Sequence, residues 1–144
     1  MQPTIGINGF GRIGRIAARI ILSRPELTLA AINSNSEATS HAYLLAHDSV
    51  YGPLDKPVIS DDRGIAVGNL RVRCFQAKEP SYIPWGEAHV DVVLECTGKF
   101  RTTQDAKAHL RESVKKVIIS APAKDATPTY IVGVNHPAYH GERI

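Results

Sequence analysis

Thr4-Ile5-Gly6-Ile7-Asn8-Gly9-Phe10-Gly11-Arg12-Ile13-Gly14 is the stretch on which the reading of the fold turns. Thr4–Asn8 is a short run of mostly apolar residues, which predicts a buried strand. Further on, Ile13, Ile16, Ala17, Ile20 and Ile21 recur at helical spacing, which predicts a helix to about Leu22, with Pro25 marking its end. Between strand and helix lie Gly9, Gly11 and Gly14, in the order G-x-G-x-x-G. Alone that pattern is weak, but a strand before it and a helix after it are the context in which it marks a dinucleotide site. Gly9 permits the tight turn, Gly11 lets the backbone approach a pyrophosphate, and Gly14 lets the helix lie close to the strand. The helix start then offers free N–H groups to the phosphates. The competing reading is a glycine-rich turn with no ligand.

Outward from this unit the pattern repeats. Thr28–Asn33 reads as a second buried strand, and Ser36-x-x-Thr39 opens a polar stretch leading into a helix over Ala42–Ala46. Val58-Ile59, Ile65–Val67 and Leu70–Cys74 are short apolar runs split by Asp61-Asp62-Arg63-Gly64 and Gly68-Asn69, the mark of a small antiparallel meander between about Lys56 and Phe75. Asp91–Glu95 is a further buried strand. Thr103–Ser113 is a helix capped by Thr102 or Thr103, and Lys116–Ile119 and Tyr130–Val132 are strands. Apolar strands alternating with helices imply an α/β fold: a Rossmann-type, doubly wound, mostly parallel sheet with a small antiparallel meander insertion. Residues 1–144 make one dinucleotide-binding domain by this reading, with no internal repeat or linker.

Composition narrows the function classes. Hydrophobic residues at 43% and charged residues at 22% are the balance of an ordinary globular protein. No apolar run is long enough to cross a bilayer, and the N-terminus lacks the basic and continuous apolar regions of a signal peptide. The net charge of +3 is scattered rather than gathered into a block, so it suits an anionic ligand such as a phosphate and does not indicate nucleic acid. Cys74 and Cys96 are the only cysteines and read as reduced, small, buried residues rather than nucleophiles, which fits a cytoplasmic location. The six histidines show no metal spacing; His136 and His140 are four apart, but Pro137 argues against a helix there.

The dinucleotide fingerprint expects an acidic residue about 20 positions on, to bond the adenosine ribose. At that distance from Gly14 stands Ser34, flanked by Asn33, Asn35 and Ser36. Two readings stay open: Ser34 bonds the 2′-hydroxyl of NAD, or it donates to the 2′-phosphate of NADP, which a carboxylate would repel.

The run Ile5–Arg15 goes beyond the generic pattern and resembles the N-terminus of phosphorylating glyceraldehyde-3-phosphate dehydrogenases. Further segments resemble that family in the same order: His47-Asp48-Ser49-Val50-Tyr51-Gly52, Trp85-Gly86-Glu87 with Val90-Asp91-Val92-Val93, Glu95-Cys96-Thr97-Gly98-Lys99-Phe100, the run Lys115–Lys124, and Gly133-Val134-Asn135. The resemblance implies that Asn8, Gly9, Phe10, Gly11, Arg12 and Ile13 line the pyrophosphate. Asn33, Ser34 and Lys78 would serve the adenosine ribose. Thr97, Gly98 and Phe100 would run toward the nicotinamide, with Ser120 and Ala121 ending the next strand near it. Read without the family, Thr97-Gly98 is a plain strand-to-loop turn and Ser120-Ala121-Pro122 a strand end. Three departures stand out: Ser34 replaces the acid of NAD-specific members, Ala77-Lys78 replaces a frequent Glu-Arg, and Cys96 replaces a usual serine.

The resemblance further implies thiolate attack on an aldehyde, hydride transfer to the nicotinamide and phosphorolysis of a thioester. The family's nucleophile motif would begin just beyond Ile144. The chain is therefore read as the NAD- or NADP-holding part of such an oxidoreductase, inactive by itself, whose partners are the nicotinamide dinucleotide and a C-terminal catalytic domain, in a homo-tetrameric parent. The alternatives are the cofactor domain of an erythrose-4-phosphate dehydrogenase, against which the Ser120–Lys124 run speaks, and a nucleotide-binding module without catalysis.

Overall fold

β1 (Thr4–Asn8) leads through the glycine turn into α1 (Arg12–Leu22) and β2 (Thr28–Asn33), as the glycine pattern predicts. These come from a computed structural model, which describes residues 2–144. α2 (Ala38–Ala46) begins four residues ahead of its apolar run. β3 (Val58–Asp61), β4 (Gly64–Val67) and β5 (Leu70–Phe75) form the expected meander, followed by β6 (Val92–Glu95), α3 (Thr103–Lys107) and β7 (Lys116–Ile119).

All seven strands join one sheet in the order β3-β4-β5-β2-β1-β6-β7. β1 pairs in parallel with β2 and β6, β2 with β5, and β6 with β7, while β3, β4 and β5 pair antiparallel. The parallel part therefore runs outward from β1 through β2 to β5, then returns to β1's other side for β6 and β7. This is the doubly wound, Rossmann-type arrangement, and its direction reverses between β1 and β6. Ligands bind such sheets outside the strands' carboxyl ends at that reversal.

The sheet is buried on both faces. Ile5, Ile7, Leu29 and Ile32 join Ala18, Ile21, Ala42 and Leu45 of the helices on one side. Ala31, Val93 and Val117 join Ile83, Trp85, Val90, Ala106 and Val114 on the other. Gly6 is glycine because the Trp85 ring lies over it; a Cβ there would stand 2.7 Å from the ring. α1 turns Gly14, Ala18 and Ile21 inward and leaves Ile13 and Ile20 more than half exposed. The reason is proximity: a Cβ on Gly14 would lie 2.1 Å from the Gly9 carbonyl oxygen, so the helix sits too near the turn for a larger residue.

Two expectations are corrected. The helix expected over Thr103–Ser113 ends at Lys107, although its cap is the expected Thr102, whose Oγ1 accepts from the Asp105 N–H at 3.1 Å. Beyond Lys107 the backbone tightens into three-residue steps, and Glu112 turns left-handed at φ 53° while its carboxylate accepts from the Gly86 N–H at 2.5 Å. That turn carries Val114 into the core. The strand expected over Tyr130–Val132 does not form either. The Asn135 side chain accepts from Ile131 N–H and donates to the Thr129 carbonyl, and Gly133 at φ 85° closes a turn. The outer edge of β7 is meanwhile engaged by the Arg143 carbonyl, which accepts from Val117 N–H at 2.7 Å.

Candidate functional site

The carboxyl ends of β1, β2 and β6 enclose a cleft of about 250 Å³. Its floor begins at Asn8, where β1 gives way to the glycine turn. Gly9 takes φ +92°, a left-handed conformation that favours glycine, and a Cβ there would lie 2.7 Å from the Thr97 backbone nitrogen. Its N–H donates to the Asn33 carbonyl at 2.8 Å, and Cys96 N–H donates to the Asn8 carbonyl at 2.7 Å, so the strand ladders continue into the turn.

Gly11 differs from its neighbours. Its backbone is extended at φ −78°, a conformation open to any residue, and no atom lies within 4 Å of where its Cβ would be. Neither strain nor packing explains glycine there. It caps α1 without a side chain, so the N–H groups of the first helical turn are free to meet an anion.

Of the residues singled out from the sequence, Asn8, Gly9, Phe10, Gly11, Asn33, Ser34, Lys78, Thr97 and Phe100 line this one cleft. Arg12 and Ile13 are exposed on the first turn of α1, beside it. Gly98 bulges outward at φ 70° between Thr97 and Lys99. Ser120 and Ala121 follow β7, with Ser120 N–H donating to the Glu95 carbonyl at 3.0 Å, and do not line the cleft. Asn35, Ala77, Cys96 and Lys99 line it as well. Lys78 and Lys99 make no ion pair among the described residues, so the cleft carries two uncommitted positive charges.

Asn8, Asn33 and Thr97, named from the sequence, are tied to a buried group that sequence reasoning did not single out for the site: Glu95, His109 and Trp85. Asn33 Nδ2 donates to Asn8 Oδ1 at 2.8 Å and to the Ala77 carbonyl at 2.9 Å, while Ala77 N–H donates back to Asn33 Oδ1 at 2.9 Å. Asn8 Nδ2 donates to Glu95 Oε2 at 2.6 Å. His109 Nε2 lies 3.0 Å from the same oxygen, and Trp85 Nε1 donates to His109 Nδ1 at 3.1 Å. Glu95 Oε1 accepts from Thr97 N–H at 2.8 Å and Thr97 Oγ1 at 2.5 Å. Asn8, Asn33, Glu95 and His109 are all buried. The signal was there: Glu95 is a carboxylate at an inward position of an otherwise apolar strand, where a charge persists only if it is hydrogen-bonded.

Neither thiol is activated. Burial pushes Cys74 up to about 11 and raises Cys96 as well, the direction of an inert thiol. Burial also lowers His41, whose neutral ring meets Phe10 edge-on at 5.2 Å behind the cleft wall. No cluster of metal-ligating side chains occurs among the described residues, and no helix among them is long and apolar enough to cross a membrane.

Comparison with known proteins agrees with this geometry. A model of the family described as "Glyceraldehyde 3-phosphate dehydrogenase, NAD binding domain" matches residues 3–103. "Glyceraldehyde-3-phosphate dehydrogenase 1" of Bacillus cereus is 44% identical over 135 residues, 94% of this chain and 40% of its own length. The Coccidioides immitis glyceraldehyde-3-phosphate dehydrogenase is 45% identical over 143 residues, 99% of this chain and 42% of its own. The cytosolic enzyme of Trypanosoma brucei brucei is 39% identical over 144 residues, 100% of this chain and 44% of its own. The chain thus spans about two fifths of the length of the curated relatives it matches.

Proposed function

The chain belongs to the glyceraldehyde-3-phosphate dehydrogenase family, within its NAD-binding domain, and from that premise we propose that the cleft at the ends of β1, β2 and β6 holds a nicotinamide dinucleotide. The observation that carries the proposal is Gly11, a glycine that neither its backbone nor its surroundings require and that opens the start of α1 to an anion. The first-turn N–H groups, from Arg12 onward, would take the pyrophosphate. Ser34 and Lys78 would take the adenosine ribose, and Asn8, Thr97 and Phe100 would wall the other end, with Gly98, Ser120 and Ala121 further along. When bound, the nicotinamide supplies a hydride acceptor; the protein supplies orientation and electrostatics.

For the whole protein we propose the family's reaction: aldehyde oxidation through a thioester, with hydride transfer and phosphorolysis, in the cytoplasm. By this reading the 144 residues alone bind the cofactor and do not turn over, since burial holds both Cys74 and Cys96 protonated. The neutral Ser34 and the uncommitted Lys78 support acceptance of NADP beside NAD.

Gly11→Asp is the test. Aspartate is a good helix cap, so thermal stability stays the same or rises by a few tenths of a kcal/mol. Its charge faces the pyrophosphate, so calorimetric NAD affinity falls by about tenfold or more. Undiminished NAD binding by this variant sinks the proposal. NADH production by the unaltered chain given glyceraldehyde 3-phosphate, NAD and phosphate sinks its second half.

A further inference from the structure

The buried polar side chains under the cleft are all aimed at one carboxylate. Asn33 donates to Asn8, Asn8 donates to Glu95, and Thr97 donates to Glu95 twice. From the opposite side Trp85 donates to His109, which faces Glu95. Of these donors only the Thr97 hydroxyl is free to reverse. The Thr97 N–H is backbone. The Asn8 amide is fixed by Asn33, which donates to its oxygen. The indole nitrogen of Trp85 has no acceptor capacity, so His109 Nδ1 must accept and its proton must sit on Nε2, pointing at Glu95. Four hydrogen bonds thus converge on one side chain, three of them from donors whose direction is fixed.

Glu95 is 1% exposed and Trp85 is 1% exposed. The indole cannot drift toward the sheet, because its ring already rests on Gly6. Asn8 and Thr97 both line the cleft, and the Glu95 side chain is bonded to both.

We propose that Glu95 is the positioning residue of the cleft, setting Asn8 against Thr97, and that its hydrogen-bond chain through His109 carries cleft occupancy to the Trp85 indole. The inference rests on the reading that the cleft takes a nicotinamide dinucleotide. A ligand pressing on Asn8 or Thr97 alters how strongly each donates to Glu95. Hydrogen bonds that share an acceptor respond to one another, so the His109 bond changes, and with it the bond from the indole N–H.

Trp85 is the only tryptophan, so the indole N–H gives one resonance in a nitrogen-labelled chain. The experiment titrates NAD into the 144-residue chain, following that resonance and calorimetric heat together. The expected result is a shift of the indole signal that saturates with the calorimetric midpoint. Glu95→Gln places an amide N–H₂ against a donor whichever way it turns. Its NAD affinity falls about tenfold or more, and its indole signal no longer follows NAD. An indole signal that stays still while calorimetry reports binding overturns the inference and leaves the cofactor reading standing. Absence of calorimetric binding overturns the cofactor reading and takes the inference with it. Unimpaired NAD binding by folded Glu95→Gln also overturns the inference. If that variant does not fold, the unaltered chain's indole signal decides alone.

Discussion

At the scale of single residues, the proposed acceptance of both cofactors turns on Ser34. It lines the cleft at the end of β2, with its backbone N–H donating to the Phe75 carbonyl at 3.0 Å. A hydroxyl there can donate to a 2′-phosphate, and Lys78 supplies a positive charge in the same cleft. Ser34→Asp should weaken NADP binding by roughly 1–3 kcal/mol, the range for losing a charge-assisted hydrogen bond, and leave NAD binding equal or better. Parallel titrations of both cofactors measure it; unchanged NADP affinity in the variant would mean that shape, not charge, selects. At this scale the sequence was informative where chemistry is local. Gly9 and Gly14 do have separate reasons for being glycine: a left-handed backbone, and a helix too near the Gly9 carbonyl for a Cβ. It was uninformative where a residue's meaning depends on a distant partner. His109 showed no metal spacing, but its bond to Glu95 appears only once the turn after α3 and β6 are brought together.

Among elements, Asp91 fastens three strands at the end opposite the cleft. Its carboxylate accepts from Lys115 Nζ at 2.7 Å, from Thr4 N–H at 3.1 Å and from Thr4 Oγ1 at 2.8 Å, joining the starts of β1, β6 and β7. The Lys115 hydrogen bond, then those from Thr4, hold its pKa at about 2. Depressed below the unfolded value of about 4, this carboxyl contributes stability that is full above about pH 4 and is lost as pH falls toward 2. Asp91→Asn should therefore lower stability by roughly 1 kcal/mol at neutral pH, a modest figure because Lys115 is exposed and screened. In thermal melts the gap between variant and parent should close between those pH values; a gap constant with pH would contradict the assignment. Every strand and α-helix that forms was legible in the sequence; the extent of α3 and the absence of a strand at Tyr130–Val132 were not. Thr103–Ser113 has helical composition throughout, but Glu112 is claimed by Gly86, 26 residues away. Tyr130–Val132 has strand composition, but the Asn135 side chain takes its backbone groups.

Across the whole molecule, the order of strands also fixes an order of assembly. β1 and β2 are joined through Asn8 and Asn33 across 25 residues, whereas β1 and β6 are joined through Asn8 and Glu95 across 87. The longer closure costs about 1 kcal/mol more in chain entropy. The first strand–helix–strand unit can thus form early, while β6 closes the longer loop on the other side of β1. The cleft has one wall from each side of that reversal, Asn8 from β1 and Thr97 just after β6. It is therefore complete only once β6 has paired with β1. A dinucleotide that binds only the finished cleft has nothing to grip in the rate-limiting step. Saturating NAD should leave the refolding rate in stopped-flow unchanged and slow unfolding in proportion to its stabilisation; faster refolding with NAD would mean that the two walls meet before the barrier. On that expectation the cofactor would act on this fold as a latch fitted after the door has shut, lengthening the life of the native state without hastening its birth.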